Sequence, residues 1–136
     1  MTRTGLVTLL ATLTIICSCT GKGPDSEFLT TPSEFVLSVK GRTVFSAGPY
    51  NCQSSSNPKR NEYRVHNDNM SDWYMLSLDS TPVSEGQRVK GSIEWTDSRD
   101  VMHKNGLTFQ VSKVSNTGRI WLWCRKEEIG AIIQPD

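Results

Sequence analysis

Histidine and cysteine are scarce and neither sign of charge prevails: the 136 residues hold 2 His, 4 Cys, 15 Lys plus Arg and 14 Asp plus Glu. That balance excludes the clustered, uncompensated Lys and Arg by which a domain holds nucleic acid or an anionic lipid surface. No apolar run approaches the roughly 20 residues of a membrane-spanning helix. His66 and His103 have no second imidazole at i+2 or i+4 and no neighbouring cysteine pair, so zinc-ligand spacing is missing. Their neighbours, Asn67-Asp68 and Lys104-Asn105, make both read as solvated loop residues. A Gly-x-Ser-x-Gly elbow, a phosphate-cradling glycine loop and a His-Glu-x-x-His helix are likewise missing. Neither catalysis nor a cofactor is expected, and the length leaves room for one domain. A chain of this size buries roughly two-thirds of its unfolded surface, enough to fold without a metal.

What the chain does have begins at the N-terminus. Arg3 precedes the apolar stretch Leu6 to Ile16, whose 11 residues match a signal-peptide hydrophobic region. Ile16-Cys17-Ser18-Cys19 follows, and it resembles the lipobox of bacterial lipoproteins: an aliphatic residue, a variable one and a small one before the Cys that becomes lipidated. The resemblance covers residues 1–19 only. It implies that residues 1–18 are a removed signal peptide, that Cys19 carries the acyl chains, and that the protein is anchored in a bacterial cell envelope. Anchoring through more than one chain is durable where a single chain is marginal. Thr20 stands where an Asp would hold some lipoproteins in the inner membrane, so the outer membrane is favoured. Residues 19–33, with Gly21, Gly23, Pro24 and Pro32, read as a flexible tether with a span of about 20 Å. Without Arg3 the mature chain has zero formal charge.

From Glu34 onward the hydrophobic period is two, and no stretch sustains helical spacing over ten residues. An all-β domain is expected over residues 34–136, a small antiparallel β-barrel or β-sandwich of six to eight strands. Alternation does not separate the two architectures, because both bury one face of each strand. Val89, Gly91, Ile93 and Trp95 mark one face of a strand spanning Gln87 to Thr96; Leu107, Phe109 and Val111 mark another. Ser115-Asn116-Thr117-Gly118 supplies a turn, with Gly available for positive φ. Phe35 to Val39, Thr43 to Ala47, a weak Tyr63 to Val65, Trp73 to Leu78, Arg119 to Arg125 and Ile129 to Ile133 complete the set. Gly48 to Asn61, rich in Asn, Ser and Pro, reads as a long loop.

Several residues are candidates for function. Cys52 and Cys124 are the two cysteines left after processing besides the anchor, and an exported protein with such a pair is expected to join them in a disulfide. Asp97 and Asp100 bracket Ser98-Arg99 in what reads as a polar turn. Trp121 and Trp123 alternate with Ile120, Leu122 and Cys124, so both indoles share one face. Exposed, they would form a platform for a sugar or an apolar partner; otherwise a second layer covers them. Trp73 and Tyr74 present the same alternatives. Asp79-Ser80-Thr81 resembles the short acceptor of envelope O-glycosylation in some Gram-negative bacteria, which implies Ser80 as a modified residue. The expected function is a non-catalytic, membrane-anchored module that binds an envelope protein or glycan or serves structurally. The alternative is a small inhibitor of an envelope hydrolase that uses Gly48 to Asn61 as a plug. Oligomeric state is not legible.

Overall fold

Alternating apolar residues separated by Gly, Asn and Asp turns fold into nine strands in the computed structural model, which describes residues 23–24, 28–29, 34–48 and 50–135. They are β1 (Phe35–Val39), β2 (Arg42–Ala47), β3 (Cys52–Asn57), β4 (Glu62–Asn67), β5 (Trp73–Leu78), β6 (Arg88–Asp97), β7 (Asp100–Val114), β8 (Ile120–Cys124) and β9 (Ile129–Ile133). All belong to one antiparallel sheet in the order β2-β1-β9-β8-β7-β6-β5-β4-β3. A sandwich needs two sheets, so the architecture is barrel-like.

Chain connectivity forces the curl. Laid flat, nine strands would put the outer two about 38 Å apart at 4.8 Å per step. Yet β2 and β3 are those outer strands, and the link from Ala47 to Cys52 reaches about 18 Å at most. The sheet therefore rolls until its ends approach. Contacts across the roll follow: the Phe45 ring of β2 meets Tyr74 of β5 edge-on at 5.2 Å, and the Tyr74 hydroxyl donates to the Ile132 carbonyl of β9. Arg42 of β2 reaches Asp97 at the end of β6, 2.6 Å away.

The inner face is apolar. Leu37, Phe45, Tyr74, Ile93, Phe109, Leu122 and Ile129 are among its buried side chains. Gly91 sits where β6 bulges against β7, and an added Cβ would lie 2.2 Å from the Ser77 carbonyl oxygen, so only glycine fits.

Two expectations are corrected here. The strand count exceeds six to eight because Cys52–Asn57, read as part of a loop, is β3. Its sequence CQSSSN is mostly exposed, with Cys52 and Ser56 half-buried, and has no apolar alternation; backbone pairing with β4 alone makes it a strand. The plugging loop of the inhibitor alternative is therefore a hairpin closed by the four residues Pro58 to Asn61. Likewise β7 begins at Asp100, so His103 lies on a strand, as His66 does in β4.

Candidate functional site

Packed apolar side chains line the inside of the sheet, and its outer face carries side chains free to meet a ligand. That face is built from the residues that alternate with the core, and cross-strand partners share it.

On β8 and β9 the outer face is apolar and covered. Trp121 and Trp123 are only 7% and 8% exposed. Phe28, in a helical turn with Leu29, lies over them: its ring is 6.3 Å from that of Trp123, and its carbonyl accepts a hydrogen bond from Trp121 Nε1 at 3.2 Å. Lys113 on β7 donates to the Leu29 carbonyl at 3.0 Å and stacks on the Trp121 ring at 4.6 Å. Gly130 completes the seat, since a Cβ there would come within 3.0 Å of the Phe28 ring. Of the two alternatives for Trp121 and Trp123, the structure holds the covered one. A second apolar layer takes both indoles out of water, and it comes from residues 28 and 29, which the tether reading left free.

The cysteine pair is also corrected: Cys52 and Cys124 are separate free thiols. Cys52 is near the Glu34–Arg119 ion pair, just before β8 starts, whereas Cys124 ends β8. The two lie on β3 and β8, which are not neighbours in the sheet. The Cys52 Sγ donates to the Gly48 carbonyl at 3.3 Å. Burial pushes its pKa up, the Glu34 and Asp68 carboxylates add to this, and Arg119 opposes it. Cys124 is buried in the core.

Asp97 and Asp100 flank a tight turn, and Asp97 is held by Arg42. Ser80 is exposed in the segment joining β5 to β6. Cys19 and the signal segment lie outside the described residues.

The open part of the outer face spans β4 to β7. Here Trp73 points outward and stays partly exposed, while Tyr74 turns into the core. Arg64 on β4 stacks over the Trp73 ring at 5.6 Å, and Trp73 pairs across the sheet with His66. Met75 stands between Arg64 and Glu94, and Glu94 meets His103 at 3.6 Å. The row is continuous: an indole and a thioether, flanked by both imidazoles, a guanidinium and a carboxylate. Further along, Ser77, Asp79, Lys90, Ser92 and Thr108 line an open depression of about 570 Å³ around the Gly91 bulge. Among the described residues no group of three or more His, Cys, Asp and Glu could hold a metal. Sequence reasoning left Trp73 undecided and treated both histidines as loop residues. Strand pairing is what brings them together.

No family model, curated protein or solved structure matches the chain.

Proposed function

We propose that this protein is a non-catalytic lipoprotein of the bacterial envelope, anchored at Cys19, whose β domain binds a glycan or protein through the outer face of β4 to β7. The observation that carries the reading is the outward, partly exposed Trp73 under Arg64, on a face whose other large indoles are already covered. A flat π-surface beside charged and hydroxyl groups suits stacking on a sugar ring or an apolar side chain with polar contacts around it. Ser80 next to this face would be a modification site, and a tether from Cys19 would hold the domain close to the membrane.

Membrane fractionation and binding test it together. Wild-type protein should sediment with membranes and carry lipid mass on Cys19, and Cys19→Ala should release it or stall processing. Purified protein should bind isolated peptidoglycan or outer-membrane vesicles, and Trp73→Ala should weaken binding about tenfold or more while the circular dichroism spectrum stays unchanged. Unlipidated, soluble wild-type protein would sink the anchoring. Equal binding by wild type and Trp73→Ala would sink the site.

A further inference from the structure

We propose that the chain self-associates as a two-fold symmetric dimer by antiparallel pairing of the outer edge of β7, centred on Met102. The 15-residue β7 is far longer than β8, which covers only Gln110 to Val114 of it. Asp100 to Gly106 are all exposed, and among the described residues they pair with β6 alone. Edge strands are guarded by shortness, Pro, bulges, covering elements or repelling charged side chains, Lys above all; here the charged residues, Asp100 and Lys104, are of opposite sign and so can attract a second copy. This one is long, holds no Pro, and exposes Val101 and Met102 at 60% and 40%. The sheet's two terminal strands, by contrast, approach each other through the short link 48–51.

The register follows from the turn. Ser98 and Arg99, with φ of 51° and 78°, are the two residues between the paired Asp97 and Asp100. Such a two-residue hairpin makes its flanking pair hydrogen-bonded, and bonded pairs alternate along the ladder. Asp100, Met102 and Lys104 therefore direct their backbone groups at β6, whereas Val101 and His103 turn theirs outward.

A second copy laid antiparallel about Met102 sets Val101 opposite the other copy's His103, so the outward N–H and C=O groups of both exchange hydrogen bonds. The same register puts Asp100 opposite the other copy's Lys104, twice by symmetry. Opposite charges face each other on the inner side of the arm, where Lys104 also reaches Glu127 at 3.7 Å. Shifting the register by one residue would break both the bonding and the charge match. A strand of unrelated sequence would satisfy the backbone but not the paired charges, which favours a second copy.

Met102 would lie at the symmetry axis in a non-bonded pair with Cα atoms about 4.5 Å apart, a spacing a disulfide spans. Full-length Met102→Cys in detergent should therefore give a cross-linked dimer on mild oxidation. Val83→Cys, 66% exposed on another loop, should not. In the Met102→Cys background, Asp100→Lys or Lys104→Asp alone should cut the cross-linking rate about tenfold, and the double exchange should restore it. Val101→Pro, which removes an outward N–H unused by β6, should abolish it. Circular dichroism on each variant separates misfolding from lost association. Failure of folded Met102→Cys to cross-link above the Val83→Cys control would overturn the proposal, and so would a double exchange no better than either single change. Binding through Trp73 is read separately, so the two proposals stand or fall independently.

Discussion

Adding one methyl group at Gly130 should detach the Phe28 cover from the sheet. The new Cβ would lie 3.0 Å from two carbons of the Phe28 ring and 3.1 Å from Trp123 Cε3, whereas carbons in contact prefer about 3.5 to 4.0 Å. Trp123 is fixed within β8, so Phe28 has to give way. Phe28 is 6% exposed, and losing its burial costs about 2 to 3 kcal/mol. The hydrogen bond from Trp121 Nε1 to its carbonyl goes with it, a loss of about 1 kcal/mol that water partly restores. Phe28→Ala attacks the contact from the other side at similar cost, below that of a Phe deleted from a closed core, because the emptied groove opens to solvent and leaves no void. The test is a double-mutant cycle by urea unfolding. Gly130→Ala and Phe28→Ala should each cost about 2 to 3 kcal/mol, while the double variant costs no more than Phe28→Ala alone. Each single variant should also shift tryptophan emission to the red as Trp121 and Trp123 meet water. Costs that add to within about 0.5 kcal/mol would refute the reasoning, since the Cβ would then be disturbing something other than Phe28.

The turn at Ser98 and Arg99 holds two non-glycine residues at positive φ, so Ser98→Asn with Arg99→Gly should stabilise the domain by about 1 kcal/mol, read as a rise in Tm of several degrees. Cys52 should react slowly with a thiol reagent in the native protein, faster as pH rises toward its raised pKa, and Cys124 only after unfolding; rapid labelling of both in the native state would contradict the burial described. Burial raises the Tyr74 phenol well above its ordinary pKa, so the stability this group contributes is intact below about pH 10 and is lost as pH climbs further, when the unfolded tyrosine ionises first. Tyr74→Phe should flatten that alkaline loss while costing about 1 to 2 kcal/mol at neutral pH, because the Ile132 carbonyl loses its donor; unfolding titrations at pH 7 and pH 11 check both.

Local chemistry alone determined the fold class and most strand positions. Period-two alternation in Val89 to Trp95 and in Leu107 to Val111 can bury only one face of a strand, and Gly118, with φ of 83°, turns the chain between β7 and β8 where its sequence requires. Long-range placement decided the rest. β3 is polar and becomes a strand through pairing with β4, which no window of its own residues reveals. In the two-sided strands, alternation puts Trp121 with Trp123 and Trp73 apart from Tyr74, but it does not say which face meets water. That depends on what arrives from elsewhere: Phe28, 93 residues upstream of Trp121, covers one pair of indoles, and among the described residues nothing comparable covers Trp73. The cysteines make the same point, since composition counts two spare thiols while the sheet sets them on strands that are not neighbours. Side-chain pattern is a property of neighbours along the chain; exposure and pairing belong to neighbours in space, and only the folded sheet brings those together.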